Sequence, residues 1–243
     1  MRSFFLLPAL ALLATGARAE DWSYTATLYG WLPSLTGSVD TRFGSVDIEP
    51  EGGGDSLFGL EAGFLGSFTA RRGAWSVMGD ILFARLGADG TPPLGLLYDS
   101  AAVTQDLMAI SGYGFYRVVD RPQASLDLGA GFRHFDLGLG VRLGGEALPP
   151  LSEDIEAAWT NPVLAAKGHS DIGERWFLHG LADWGGTQSG ERTWQAYGGL
   201  GYRFSDSWSA ELGYRHMEIT RQVRGADVDI GLDGGLIAVS FSF

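Results

Sequence analysis

The chain carries four histidines, His134, His169, His179 and His216, and no cysteine. An imidazole set against a carboxylate and a serine is the usual start of acid–base chemistry near neutral pH. His179 and Asp183 are four residues apart. On a strand that spacing shares a face but separates the two by about 13 Å, well beyond a hydrogen bond. His216 and Glu218 also share a face, two residues apart, and no serine stands at a catalytic spacing from either pair. The absence of cysteine removes disulfides, thiolate metal sites and cysteine nucleophiles. No metal-ligand cluster stands out, and no glycine-rich phosphate loop opens a helix. These residues point to no catalytic group, no metal and no cofactor. Each histidine reads as a hydrogen-bonding group in an interior or at a rim.

Ten ionisable residues share another feature. Glu61, Asp80, Asp127, Arg133, Lys167, His179, Asp183, Arg203, Glu211 and Arg215 fall on the polar side of alternating segments. Trp22, Tyr24, Ala26, Leu28 and Gly30 alternate with Ser23, Thr25, Thr27, Tyr29 and Trp31. Phe58, Leu60, Ala62, Phe64, Gly66 and Phe68 form an apolar face, and Trp75, Val77, Gly79, Ile81 and Phe83 form the next, with Asp80 opposite. Ala124 to Phe132 repeats the pattern against Asp127 and Arg133, while residues 101–117 form a strand whose parity the sequence leaves open. Segments 159–167 and 176–184 follow, then three C-terminal segments ending in Gly235, Ile237, Val239, Phe241 and Phe243. Period-two alternation is the mark of a strand with two unlike faces. Aromatics near strand ends, apolar residues outside and polar ones inside describe a transmembrane β-barrel. A soluble lipocalin-like barrel, with the faces exchanged, is the alternative.

With lipid outside, the ten ionisable residues point into the lumen: five acids, four bases and one histidine. Two arrangements are open. The charges pair and plug a narrow barrel, or they form a constriction that conducts small ions. About eight strands already give an interior that side chains fill, and lone charges at low dielectric are costly; both arguments favour the plug. Asp127, Arg133, Arg203, Glu211 and Arg215, spread over three strands, are expected to pair across it.

A resemblance rests on residues 198–208, Gly-Gly-Leu-Gly-Tyr-Arg-Phe-Ser-Asp-Ser-Trp, and on residues 212–216, Leu-Gly-Tyr-Arg-His. They resemble the C-terminal hairpins of small bacterial outer-membrane barrels of the OmpA-like, opacity-protein type. The resemblance is close over residues 159–243 and looser before. It implies an outer-membrane location, outer-membrane lipid and lipopolysaccharide around the barrel, and an end signal at Phe241 and Phe243 for the barrel-assembly machinery. It implies no activity, since such barrels include adhesins and narrow pores, and others of similar size are lipid-directed enzymes. No peptidoglycan-binding domain is expected after the barrel. The oligomeric state is left open.

Residues 1–19 read as a cleaved secretory signal: Arg2, an apolar run from Phe4 to Leu13, then Ala17-Arg18-Ala19. That run is too short to span a bilayer as a helix, which takes roughly 20 residues. Residues 20–243 form one domain, an outer-membrane barrel. With 45% hydrophobic residues, 37 glycines and no long apolar run, strands are the spanning elements. Removing Arg2 and Arg18 leaves 15 basic against 29 acidic residues, a net charge of −14, which argues against nucleic acid as a partner.

Short turns fall at 71–74, 120–123, 170–175 and 204–207, and longer connections at 33–57, 87–99, 140–154, 187–191 and about 221–232. Short periplasmic turns alternating with longer outer loops are usual in these barrels. Nine connections join ten strands of an all-β, antiparallel, up-and-down barrel. Eight remain open if one pair is a loop, or twelve if residues 35–49 form a membrane hairpin. Within 33–57 the echo Gly37-Ser38-Val39-Asp40 and Gly44-Ser45-Val46-Asp47 reads as a hairpin beyond the membrane or folded into the mouth.

If Phe243 is an end signal, its deletion or replacement by Asp lowers the amount of folded barrel in the outer membrane. Heat-modifiable migration of membrane fractions measures this, and normal levels of folded barrel would remove the role.

Overall fold

The computed structural model describes residues 22–41, 44–48, 60–91, 100–144, 149–186, 191–223 and 226–243. The expected signal segment 1–19, Phe58 and the glycines at 52–54 lie outside them. Eleven strands follow in order: β1 (Trp22–Thr41), β2 (Gly44–Ile48), β3 (Leu60–Arg72), β4 (Trp75–Thr91), β5 (Ser100–Arg121), β6 (Ala124–Gly144), β7 (Leu151–Asp171), β8 (Trp176–Gly185), β9 (Arg192–Arg203), β10 (Trp208–Val223) and β11 (Ala226–Ser242).

Ten of them form a closed antiparallel barrel. From β3 onward each strand pairs with the next, and β1 pairs with both β3 and β11. The β1–β11 seam runs from Thr25↔Ser242 to Val39↔Val228. It is sealed at its end by Tyr24 N–H donating to the Phe243 carbonyl at 2.9 Å and Phe243 N–H donating to that of Tyr24 at 3.0 Å. The eleventh strand, β2, folds back on β1 with Val39 opposite Val46 and touches β4 at two positions. It is the hairpin expected from the sequence echo, and it is not a spanning pair. Single-residue irregularities interrupt the ladder between Leu60 and Ala62 in β3 and between Arg117 and Val119 in β5.

The sequence placed the outer ends of several strands too early. Residues 87–91, 140–144, 151–154, 221–223 and 226–232, read above as loops, are strand. At a rise of about 3.3 Å per residue, a strand of 22 residues such as β5 is longer than the apolar band needs, which takes about 9–11 tilted residues. The wall therefore continues outward past the membrane.

The lower part of the wall has the expected outside. Leu164 and Leu212 are 66% and 65% exposed, and Trp75, Val77, Trp184 and Ile237 face outward with them. A belt of aromatics rings the end that carries the short turns. Trp75 meets Tyr116 edge-on at 4.9 Å between ring centroids, Trp176 meets Tyr202 at 5.0 Å, and Trp208 meets Phe241 at 4.8 Å. Phe243 stacks on Tyr24 at 5.4 Å and on Phe241 at 5.5 Å. Rings with one apolar edge and one wet edge suit the membrane interface.

Above the band the two faces exchange chemistry. On β6 the outward positions change from Leu128 and Phe132 to His134, Asp136 and Arg142, while Phe135, Leu137, Leu139, Val141 and Leu143 turn inward and are 0–2% exposed. On β7, Ser152, Asp154 and Glu156 face out while Ile155 and Trp159 are buried. On β10 and β11, Met217, Ile219, Val228, Ile230 and Leu232 fill the same interior at 0–1% exposure. This is the pattern of a water-soluble barrel. The expectation of a polar lumen throughout is corrected here: the outer part of the lumen is a dry apolar core.

Leu137→Ala in this cap is expected to cost about 2–5 kcal/mol, by lost burial plus a cavity. Leu128→Ala on the same strand, facing lipid, should cost clearly less. Urea unfolding followed by tryptophan fluorescence in lipid measures both.

Candidate functional site in the lumen

The inward positions of the membrane zone divide into three levels. Directly beneath the apolar cap lies a buried polar network spanning β1, β4, β5, β6, β8, β9 and β10. Arg133 is fully buried, with Nη2 2.5 Å from Asp183 Oδ2 and 2.8 Å from the Tyr113 hydroxyl, and Nε donating to Ser111 at 3.0 Å. Gln195 joins the halves. Its amide donates to Asp183 Oδ2 at 2.6 Å, and its carbonyl accepts from Arg215 Nε and Nη2 at 3.0 and 2.6 Å. Arg215 reaches Tyr29 Oη at 3.0 Å and Asp80 Oδ1 at 3.6 Å, while Tyr29 donates to Asp80 Oδ2 at 2.6 Å. Two guanidiniums and two carboxylates balance. The guanidinium of Arg215 also lies 5.0 Å from the Trp31 ring, which roofs the network and is 1% exposed.

The second level is a cavity of about 100 Å³, lined among others by Tyr29, Asp80, Tyr197, Glu211 and Arg215. His179 Nδ1 stands 3.4 Å from Glu211 Oε2 there. The third is a vestibule of about 570 Å³ at the end with the short turns, which shares Thr27, Met78, His179 and Glu211 with the cavity above. Asp127, 2% exposed, sits at its wall and accepts from Arg117 Nε at 2.9 Å and from Arg71. Lys167 Nζ lies 3.8 Å away. Across the vestibule Arg203 holds Asp171 at 2.6 Å, and His169 Nε2 is 3.0 Å from the same carboxylate.

Lumen-facing glycines make room for lumen-facing rings. A Cβ on Gly201 would stand 2.1 Å from Phe177 Cζ, and one on Gly129 would stand 2.6 Å from Phe115 Cδ1. Each ring lies against a glycine of a neighbouring strand. Phe177 and Phe115 in turn carry the cations Arg203 and Lys167, each 4.7 Å from the ring centroid.

Nine of the ten ionisable residues expected in the lumen are there. The tenth, Glu61, falls at the irregularity in β3, and its side chain lies outside the described residues. Four pairs form within the set: Arg133–Asp183, Arg215–Asp80, Lys167–Asp127 and His179–Glu211. The narrower expectation is corrected. Asp127, Arg133, Arg203, Glu211 and Arg215 do not pair with one another: Asp127 takes Arg71 and Arg117, Arg133 takes Asp183, Arg203 takes Asp171, Glu211 faces His179 and Arg215 faces Asp80. Each finds a partner at its own level, on another strand. The sequence reading missed Tyr29, Tyr113 and Gln195, since it followed charge alone; Tyr29 was placed on the polar side of its strand. It also missed Arg71, read as a turn, and Arg117, whose parity was open. His216, on the outer face, lies 2.5 Å from Asp233, and His134 lies 2.9 Å from Thr160.

Removing one partner of the Arg133–Asp183 pair strands the other in a dry interior, at about 3–5 kcal/mol. Arg133→Met and Asp183→Leu should each show this loss in urea unfolding, and the double variant should lose much less than their sum. Strict additivity would mean that the two side chains act independently.

No protein-family model matches the sequence, and no curated protein matches it. Among solved structures, the chain is similar to the outer-membrane protease OmpT of Escherichia coli, with a TM-score of 0.68 and 10% identity over 94% of this chain and 99% of that one. The translocator domain of the autotransporter NalP from Neisseria meningitidis aligns at a TM-score of 0.45 and 14% identity, over 96% and 91% of the two chains. At 10% identity the first likeness shows the fold alone, a closed antiparallel barrel of ten spanning strands. Together with the girdled apolar band, it makes the chain an integral outer-membrane β-barrel.

Proposed function

We propose that this is a closed outer-membrane barrel with a structural or surface-interaction role, and that it conducts no solute. One observation carries the reading: the lumen is shut at two successive levels by different chemistry. Trp31, Phe135, Leu137, Met217 and Ile230, all 0–1% exposed, leave no wet path through the cap. Below them the Arg133–Asp183–Gln195–Arg215–Asp80 network spends its charges on itself. A conducting constriction needs ion sites that bind weakly enough to release, and guanidiniums already neutralised by carboxylates offer none.

The outer collar supports the surface role. Asp106, Asp136, Asp154, Glu156, Glu218, Asp227 and Asp229 face outward above the band, against Arg85, Arg142 and Arg192. Strand pairing continues through this collar, so it presents a rigid, acidic wall rather than loose loops. The reading includes no catalytic step.

Purified protein in planar bilayers should give little or no steady conductance. A stable, reproducible, ion-selective conductance from the unaltered protein would overturn the closed barrel in favour of a narrow pore.

A further inference from the structure

The vestibule has the opposite charge balance to the chain. The chain carries a net −12. Among the described residues, the vestibule is lined by five cations, Arg71, Arg117, Arg121, Lys167 and Arg203, against four carboxylates, Asp120, Asp127, Asp171 and Glu211. Most of these are spoken for. Arg203 holds Asp171, Glu211 faces His179, and Arg117 bridges Asp127 and the exposed Asp120, the latter at 3.2 Å. The excess gathers around Asp127, where three cations converge on one buried carboxylate.

Two donors there are left over. Lys167 Nζ stands 3.8 Å from Asp127, beyond hydrogen-bond distance, and its other near contact is the face of Phe115. Arg71 Nη1 is buried and has no acceptor, although Arg71 Nη2 binds Asp127. Buried donors without acceptors are costly, and an ammonium beside a guanidinium repels it. An acceptor bearing negative charge removes both penalties. The mouth faces the periplasm, because the short turns lie at this end, together with the start of β1 and the end of β11. The barrel wall separates it from the lipid headgroups.

We propose that the vestibule binds a small free oxyanion from the periplasm, a phosphate or a carboxylate, with Lys167 and Arg71 as its donors and Arg117 completing the positive field. The paired network above ends the path, so the anion enters and leaves by the same mouth. That last point rests on the closed-lumen reading; binding itself does not. A barrel that conducts would fail in the bilayer while the titration below still reads the site.

The test is calorimetric titration of the refolded full barrel in zwitterionic-lipid nanodiscs, with inorganic phosphate and with acetate in separate runs. Saturable binding of at least one is expected, and the stronger of the two identifies the oxyanion. Lys167→Met should weaken it by about tenfold or more, the loss of one charge-assisted hydrogen bond, and Lys167→Arg should keep it. Arg71 and Arg117 still neutralise Asp127 in Lys167→Met, so the fold is expected to hold, as heat-modifiable migration would check. Arg71→Gln, which leaves Lys167 and Arg117 in place, is the second variant and should also weaken binding. No saturable binding of either anion by the unaltered protein, or equal binding by the folded variants, overturns the site.

Discussion

A strand in hydrocarbon has no water to satisfy its amides, so every backbone group must find a partner within the protein. That constraint makes the β1–β11 seam the feature on which the rest depends. An open sheet would leave two edges unpaired in lipid, and closing it joins the first strand to the last across the whole sequence. The seam also fixes register. A one-residue slip would turn Thr25 and Thr27 to lipid and Leu28 to the lumen. Side-chain pairs hold that register from within, with Thr25 opposite Ser242 at 3.1 Å and Thr27 opposite Ser240 at 2.8 Å. Phe243 contributes twice, through its backbone bonds to Tyr24 and through its place in the aromatic belt.

Once the wall is closed, its height decides what fills it. The solvent outside changes from lipid to water along each strand, and the hydrophobic effect acts only in the watery part. There the chain does what soluble barrels do and buries Leu, Ile, Val and Phe. In lipid, burying apolar groups gains little, and the interior can be polar provided its charges are matched. The Arg133–Asp183–Gln195–Arg215–Asp80 network sits at the changeover, with Trp31 above it and a cavity below. Gln195 matters there because one amide both donates and accepts, which lets it bridge Asp183 to Arg215 without adding charge.

Much of this was legible in the sequence, and the rest was hidden for physical reasons. Alternation located the ten spanning strands and placed Asp80, Asp127, Arg133 and Arg215 inward, because one face in lipid imposes a strict pattern. The outer extensions were misread because residues such as Gly138, Gly140 and Gly144 on β6 resemble loop composition. The change of phase at Arg133 and His134 was in plain view: even positions are apolar before it and polar after it. Alternation alone does not say which face meets which solvent, and a fixed rule of apolar outside cannot accommodate two solvents along one strand. Pairing was illegible for a different reason. Which charges meet depends on stagger around the barrel, and a few residues of offset moved Arg203 to Asp171 and left Arg133 to Asp183. Glycine carried a signal that was not used: Gly129 and Gly201 lie on polar faces, each directly opposite a lumen-facing phenylalanine of a neighbouring strand, Phe115 and Phe177.

The same arrangement bears on whether the lumen could open. A gate needs an element with two packings of similar energy. The cap residues project from strands paired on both sides, so none can leave the interior without turning its strand. Turning a cap strand would bring Leu137 or Ile230 into water and carry Asp136 or Asp229 inward, the costly exchange in both directions. Moving the network instead would separate Arg133 from Asp183 in a space with no water to replace either. On the closed-barrel proposal, closure therefore belongs to the wall itself rather than to a part that swings, and exchange with the surroundings falls to the two surfaces such a closure leaves accessible: the acidic collar outside and the vestibule at the end with the short turns.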